Sequence, residues 1–425
     1  METHRLVVPV VEFLLWLSGL YVPRCSAAVA SSAKTLSRDD HFTKQAQTNS
    51  FSTSCYSLAL LWVMMINFFQ VFMIVVYLNF VSRSLNTDIL VTLAYLWIVP
   101  PTLLFIIESV LFHRNRKLYL KLVRRLKNLS IAFGRVKDGR FYCGKFVGMA
   151  GVYGIMAFSG LAFMLFIPTA MNILIGAHMT FLGLSFTVIL CSFYISITIV
   201  TRTYTFLNEK IQVKTTSMRN KICDDHTSGC NRRCLERRAG QAAFDVDKED
   251  NLLYGFEENL IYIQDTLVQI QTFYSIPLLL GNSILMANVI IGFFLLLNAC
   301  INNEFKVQFW CLTGVSVWSL AFLLMMHTCA DQVNSARQDL AWSVRKLLCV
   351  LRPQAVAPFQ SSVWRALAII AEPFQFSMAG FSGIGRGALT NTVAFTVSYV
   401  IVALQFQNPL LSVPPEPRRD SSALN

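Results

Sequence analysis

Residues 88–127 read DILVTLAYLWIVPPTLLFIIESVLFHRNRKLYLKLVRRLK, an apolar run that is followed at once by a stretch rich in lysine and arginine. The hydrocarbon core of a bilayer is about 30 Å thick, and about 20 apolar residues of α-helix cross it. The run therefore predicts a membrane-spanning helix. Because lysine and arginine concentrate in short loops on the cytoplasmic side, the basic stretch also predicts on which side this helix ends.

The composition of the whole chain supports a membrane protein. Of its 425 residues, 54% are apolar and only 14% are charged, with a net charge of +12. Soluble proteins carry about 25% charged residues, so ordinary soluble enzymes, disordered chains, collagen and secreted disulfide scaffolds fit poorly. We expect a polytopic membrane protein.

Seven apolar runs are long enough to span a bilayer. Backbone polar groups need internal partners in lipid, so each run should be helical and the fold all-α. The seven runs are Tyr56–Phe80, Asp88–Phe112, Lys145–Phe166, Met171–Val200, Tyr274–Cys300, Val307–Cys329 and Gly387–Phe406. The last is the most polar, and we expect it to face protein or water. We interpret a further apolar segment, residues 6–22, as a buried or interfacial helix, with a signal peptide as the alternative.

The distribution of basic residues predicts the orientation of these spans. Ten bases and one acid occupy residues 113–141, between spans two and three, whereas the loops 81–87, 167–170 and 301–306 together hold only Arg83 and Lys306 as bases. The basic loop should therefore be cytoplasmic. With seven spans, the N-terminus is inside and the C-terminus outside, the inverse of a G-protein-coupled receptor.

The soluble segments contain no recognisable catalytic motif. The segment 201–262 predicts helical extensions of spans four and five around a mobile, polar centre over 215–251. Cys223, His226, Cys230 and Cys234 have none of the usual zinc spacings, so we interpret these cysteines as reduced surface residues, with a metal site as the alternative. Neither an enzyme nor a cofactor is expected.

Two other features suggest structural roles. Gln338–Leu351 is amphipathic, with leucines and Val344 on one side and Arg337 expected elsewhere; we interpret it as a cytoplasmic packing helix, with a lipid-headgroup-bound helix as the alternative. Glu108 lies near the cytoplasmic end of span two. We expect this carboxylate to reach water or to pair with Arg114 or Arg116.

The final span ends in Ser398-Tyr399, five apolar residues and Gln405-Phe406. It resembles the insect gustatory receptor family, whose last span ends in Thr-Tyr, five apolar residues and Gln-Phe. Ser398 replaces the threonine of that pattern. Upstream, Phe376, Ala379, Gly380 and Phe381 are similar to the residues that precede this span in the family, and chain length and inverted topology agree.

The resemblance implies a ligand-gated, nonselective cation channel in the plasma membrane of chemosensory neurons, in dendrite, axon and cell body. It implies homo- or hetero-tetramers with other gustatory receptors, a small-molecule tastant and membrane lipid as partners, and no nucleic acid. The seventh span of each subunit would line one pore. Gln405 would then contribute to selectivity and Val402 to the gate, while Ser398, Tyr399 and Phe406 serve packing.

A tastant arriving from outside would bind among the outer halves of the first six spans. The candidate residues there are Tyr95, Trp97, His178, Asn288, Trp310 and Trp318. Each is an aromatic or polar residue that could equally serve packing.

The predicted organisation has seven parts. They are a cytoplasmic N-terminal segment (1–55), spans one to four (56–200), a cytoplasmic loop with helical extensions (201–273), spans five and six (274–330), cytoplasmic anchor helices (331–384), the pore-lining span (385–406) and an extracellular tail (407–425). The alternative functions are a seven-helix receptor that signals through a second messenger and a secondary transporter. The absence of an internal repeat argues against the transporter.

The orientation can be tested with an epitope tag placed after Asn425. We expect antibody to reach the tag on intact cells, and the sequon Asn128-Leu129-Ser130 to carry no glycan, because it lies in the cytoplasmic basic loop. Surface labelling with and without permeabilisation, together with a glycosidase mobility assay, measures both. If antibody reached the tag only after permeabilisation, the predicted topology would be wrong.

Overall fold

The computed structural model describes residues 61–79, 88–133, 151, 170–227, 256–301, 307–350 and 357–407. Almost all of this part of the chain is helical. The elements are α1 (Leu61–Asn79), α2 (Asp88–Arg114), α3 (Arg116–Phe133), α4 (Ala170–Thr227), α5 (Phe256–Ile301), α6 (Val307–Val350), α7 (Ala357–Ala371), β1 (Ser377–Met378), β2 (Ser382–Gly383) and α8 (Arg386–Gln407). The apolar segment 6–22 and, apart from Gly151, the predicted third span lie outside the described residues.

Three helices are much longer than a bilayer is thick. At 1.5 Å per residue, the 58 residues of α4 extend about 87 Å, and α5 and α6, with 46 and 44 residues, extend roughly 65–70 Å. Each therefore continues well beyond the membrane. The predicted mobile centre was placed too early, because α4 remains helical to Thr227. Likewise, the sixth span and the amphipathic stretch 338–351 belong to one unbroken helix as far as Val350.

Four helices among the described residues are long and apolar enough to cross a membrane: Leu61–Asn79, Gly176–Asn220, Phe256–Phe294 and Thr313–Val350. Their apolar windows differ in burial, which is 83% for the window in α4 and 28% for the window in α1. Helix α4 is therefore the central helix of the chain, and α1 lies at its periphery with an apolar surface suited to lipid.

Aromatic rings pack where the spans meet the cytoplasmic extensions. Phe273 of α5 makes edge-to-face contacts with Phe112 of α2, at 4.9 Å between ring centroids, and lies 5.3 Å from the ring of Tyr119 in α3. Phe193 of α4 contacts both Tyr274, at 5.5 Å, and Phe376, at 6.2 Å. Such pairs add about 0.5–1.5 kcal/mol beyond their buried area. They join four helices to the segment that follows α7.

A tight hairpin precedes the last helix. Ala379 and Gly380 both have positive φ, 51° and 80°, and the amide of Phe381 donates to the carbonyl of Met378 at 3.0 Å. Two central residues with positive φ are typical of a type I′ turn, and because Met378 pairs with Ser382, three residues lie between the two strands. The sequence predicted only anchor helices over 331–384, so this hairpin is a correction. Its cause is the Ala-Gly pair, since glycine occupies the left-handed region without steric cost.

The cytoplasmic extensions pack around the amphipathic part of α6. Leu340, Val344 and Leu347 are buried, as their spacing predicted, and α7 lies against this part of the chain with Val363, Leu367 and Ile370 buried. An ion pair between the exposed Arg365 and the half-buried Glu257, at 3.0 Å, joins α7 to the start of α5. The apolar side of residues 338–351 therefore packs inside the chain, and it is not available to membrane lipid.

Candidate pore helix and its attachment

Helix α8 packs against α5 and α6 along one narrow face. Among its described side chains only Thr396 and Val400, one helical turn apart, are buried. Most of the others are exposed, including the apolar Val393, Phe395 and Val397. A helix that buries so little against its own chain needs other surroundings for its remaining faces.

The face of α8 opposite to this contact is polar. At 3.6 residues per turn, positions 391, 398 and 405 lie about two turns apart on the side away from Thr396. They are Asn391, Ser398 and Gln405, and all three are exposed. The Ser398 hydroxyl donates to the carbonyl of Ala394 at 2.9 Å. The Asn391 and Gln405 amides have no hydrogen-bond partner among the described residues.

The other predicted residues of this helix lie beside that face. Val402 is 45% exposed. Tyr399 is 53% exposed, and among the described residues its ring contacts Phe395 of the same helix, with 4.3 Å between ring centroids. The packing of Tyr399 against another helix stays a prediction. The side chain of Phe406 lies outside the described residues.

Side chains of α6 cap the base of α8. Gly385 is the N-cap residue of α8, because it precedes the helix and its carbonyl accepts the amide of Leu389 at 3.0 Å. The amide of Gly385 donates to Nδ1 of His327 at 3.2 Å, and the amide of Arg386 donates to the Asp331 carboxylate at 2.8 Å. A helix leaves its first amides without internal partners, and a capping carboxylate contributes about 0.5–2 kcal/mol. Here the cap comes from another helix.

The contact at Gly385 is sterically tight. A Cβ atom placed on this residue would lie 2.9 Å from Oδ1 of Asp331, which is closer than real Cβ contacts. Glycine thus allows the base of α8 to approach α6. An ion pair between Arg386 Nε and the same carboxylate, at 3.5 Å, is largely exposed and adds little.

Two further residues of α6 hold the segment between α7 and α8. Asn334 Oδ1 accepts the amide of Phe374 at 3.1 Å. Arg337 donates to the Gln264 side chain at 2.8 Å and to the carbonyls of Ile369 and Glu372 at 2.8 and 2.7 Å. With His327 and Asp331 these residues form one polar stripe on α6, at positions 327, 331, 334 and 337, called here the α6 stripe. It holds residues 369–386 from the end of α7 to the base of α8.

Arg337 is the most buried member of the α6 stripe that carries a charge. It is 2% exposed, and its guanidinium lies 5.9 Å from the ring centroids of Tyr204 and Phe374. The carbonyls that it binds end α7, where the helix dipole is negative and favours a cation. Arg337 lies about 12 Å beyond Cys329, outside the membrane-spanning segment. Burial lowers the pKa of Arg337, whereas Tyr204 and Glu372 oppose that shift. Because Arg337 is buried beside the apolar side chains of α6, its sequence-based placement away from the apolar side was wrong.

The predicted ligand residues that can be placed are buried in the spans. His178 is bonded through Nε2 to the Thr102 hydroxyl at 3.0 Å, and its ring edge meets Phe69 at 6.4 Å. Asn288 and Trp318 are buried on α5 and α6. No hydrogen bond or ring contact between described residues joins these three side chains to one another. The side chains of Tyr95, Trp97 and Trp310 lie outside the described residues, so the predicted pocket stays a prediction.

Glu108 does not make the predicted ion pair. It is completely buried, and neither carboxylate oxygen has a hydrogen-bond partner among the described residues. On α1, the buried Gln70 amide is likewise without a partner there, while the neighbouring Asn67 donates to Ser109 at 3.0 Å. The expectation of water or an arginine failed because Glu108 faces the packed interior, with Phe105 and Phe112, on the inner side of α2.

The proposed metal ligands cannot be brought together from the described chain. No group of three or more potential metal-binding side chains occurs within it. Cys223 and His226 lie in the last turns of α4, where only the backbone is described, and Cys230 and Cys234 lie beyond it. The interpretation of these residues as reduced surface cysteines stays a prediction.

The sequence matches no protein-family model and no curated protein. Its fold is nevertheless similar to solved structures. The insect olfactory receptor OR5 from Machilis hrabei superposes with a TM-score of 0.61 at 13% identity, over 95% of this chain and 98% of that one. The same receptor in complex with eugenol gives a TM-score of 0.55 at 12% identity over the same shares. At such identity the likeness concerns the fold, and the predicted all-α, seven-helix membrane fold is confirmed.

The α6 stripe can be tested by replacing Arg337 with methionine. We expect the free energy of unfolding to fall by about 3 kcal/mol, because three oxygen acceptors lose a charged donor in a buried place. Thermal unfolding of the full chain in detergent measures the change.

Arg345 offers a matched control, since it is an arginine on the exposed side of the same helix. Arg345→Met should alter stability by no more than about 0.5 kcal/mol. Equal losses in the two variants would contradict the structural role given to Arg337.

Proposed function

We propose that this protein is a gustatory receptor that acts as a ligand-gated, nonselective cation channel. Four chains, either identical or from sister receptors, surround one conduit to which each contributes α8. A small tastant opens the channel from outside. The protein resides among the lipids of the plasma membrane of chemosensory neurons. Support comes from the final-span motif, the likeness of the fold to an insect olfactory receptor, and the surface of α8.

The single observation that carries the proposal is the pair of amides on the outward face of α8. Asn391 and Gln405 project away from the chain, and neither has a partner in its described part. A serine can satisfy its hydroxyl on its own helix, as Ser398 does, but these amides do not. Facing lipid, an unpaired amide costs several kcal/mol, whereas water or a passing cation would solvate it. A four-fold arrangement supplies that water.

The apolar residues beside this face fit the same arrangement. Val393, Phe395, Val397 and Ile401 would be covered by neighbouring subunits or lipid. Val402 lies one turn below Gln405, so four copies would form an apolar ring that closes a narrow pore by dewetting. Four Gln405 amides above it would offer uncharged oxygens to a cation that has lost part of its water shell.

The α6 stripe provides a path from ligand to pore. One solved relative in fold holds eugenol, so we infer that this chain also takes a small organic molecule. Helix α6 carries Trp318 in its outer half and grips the base of α8 through His327 and Asp331. A ligand that contacts the open arrangement better than the closed one would shift the population towards the open channel.

Replacement of Gln405 by lysine tests the proposal. Four ammonium groups at one level of a pore repel cations, so we expect cation conductance to fall at least about tenfold. Gln405→Asn keeps an amide and should retain cation current. Whole-cell recording with a panel of sweet and bitter compounds, in cells lacking G-protein signalling, measures conductance and reversal potential.

Thr396→Ser is the control, because Thr396 lies on the buried face of the same helix. It should leave the reversal potential unchanged. If Gln405→Lys conducted cations like the unaltered protein, α8 would not line the pore. Saturable flux without unitary conductance would instead indicate a transporter, and responses seen only with G protein present would indicate a second-messenger receptor.

A further inference from the structure

A row of exposed basic residues continues from the end of α2 along α3. Arg114, Lys117, Lys121, Arg124 and Lys127 are spaced three or four residues apart, on one side of the helix, and all are exposed. We propose that the membrane-proximal part of this row, Arg114, Lys117 and Lys121, binds the headgroup of a phosphoinositide in the cytoplasmic leaflet. The row is called here the α3 basic face.

The opposite side of α3 fixes this face outward. Tyr119, Leu122, Leu126 and Leu129 are buried in the core. Arg125 lies between the two sides and contacts α5. It forms an ion pair with Asp265 at 3.7 Å, and its guanidinium lies 5.2 Å from the centre of the Tyr262 ring. The face cannot rotate inward without exposing four apolar side chains.

The five bases of the face lack counter-charges in the described part of the chain. None of them has an ion pair or a hydrogen bond there, and α3 contains no acidic residue. Like charges three or four residues apart destabilise a helix by about 0.2–0.5 kcal/mol per pair. An anionic partner would relieve this repulsion.

The position of the face points to the membrane as the source of that partner. Backbone bonds from Asn115 to Leu111, at 2.9 Å, and from Tyr119 to Asn115, at 3.0 Å, carry the helix directly from the span into the cytoplasm. Tyr119 also contacts Phe273, which immediately precedes the fifth span. Arg114 and Lys117 thus lie roughly 3–8 Å beyond Phe112, in or next to the headgroup layer, which is about 5–7 Å thick.

The remaining bases lie at increasing depth in the cytoplasm. By helical rise, Lys121 is roughly 14 Å beyond Phe112, whereas Arg124 and Lys127 are roughly 18 and 22 Å beyond it. Phosphatidylserine keeps its single net charge close to the bilayer and would meet only the first two bases. A phosphorylated inositol ring projects further and carries several phosphates, which suits three bases along one line.

Because the bases lie at different distances from the membrane, two double variants can remove the same charge at different depths. Each basic residue near the surface contributes about 1 kcal/mol to binding anionic lipid. Lys117→Gln with Lys121→Gln should therefore weaken binding about 20- to 30-fold. Arg124→Gln with Lys127→Gln removes the same charge from the same face and should weaken it less than about threefold, because these residues lie beyond a Debye length from the headgroups.

The experiment uses the full chain in phosphatidylcholine nanodiscs that contain a small fraction of fluorescent phosphatidylinositol 4,5-bisphosphate, with the anisotropy of that lipid as the signal and phosphatidylserine in the same bilayers as competitor. Thermal unfolding confirms that both double variants are folded. The predicted result is strong weakening in the proximal pair alone and poor competition by phosphatidylserine. Equal weakening in both pairs, no weakening in either, or equal binding of phosphatidylserine would overturn the proposal. The measurement needs no channel activity, so its outcome is separate from that of the proposed function.

Discussion

The α6 stripe satisfies backbone groups at the ends of two other helices. Helix α7 ends with open carbonyls and α8 begins with open amides, and both ends lie near the cytoplasmic boundary of the membrane, where unpaired backbone groups are costly. Arg337 supplies donors to the first helix, and His327 and Asp331 supply acceptors to the second. One face of one helix therefore fixes where the last span begins and how it is rotated.

The rotation of α8 about its axis decides which of its side chains face the rest of the chain and which face away. With Thr396 and Val400 turned towards the chain, Asn391, Ser398 and Gln405 face away from it. The described part of a single chain covers none of these polar side chains. When several chains surround a central aqueous space, water can solvate them. The hairpin at Ala379 and Gly380 contributes by reversing the chain so that α8 rises beside α6 rather than continuing from α7.

Much of the fold could be predicted from the sequence because bilayer thickness converts apolar run length directly into helices. Helices α2 and α8 match their predicted spans closely, whereas α4, α5 and α6 extend far beyond the apolar runs that predicted them. Pairing was less predictable. Arg337 was assigned to the polar side because it is charged, although 3.6 residues per turn place it on the same side as Leu340 and Val344. Its backbone partners are carbonyls at the end of α7, which is distant in sequence. Glu108 was expected to reach water or to pair with an arginine nearby in the sequence, yet its side chain faces the packed interior. The spacing of 327, 331, 334 and 337 was the available signal for the α6 stripe.

The most direct test of the central claim measures which face of α8 meets the aqueous conduit in the assembled protein. Ser398→Cys and Thr396→Cys would be compared for inhibition of cation current by a water-soluble, positively charged methanethiosulfonate, with the unaltered chain controlling for its own cysteines. We predict inhibition in Ser398→Cys and none beyond the control in Thr396→Cys. Inhibition of Thr396→Cys with an unresponsive Ser398→Cys would contradict both the rotation of α8 and its place around a pore.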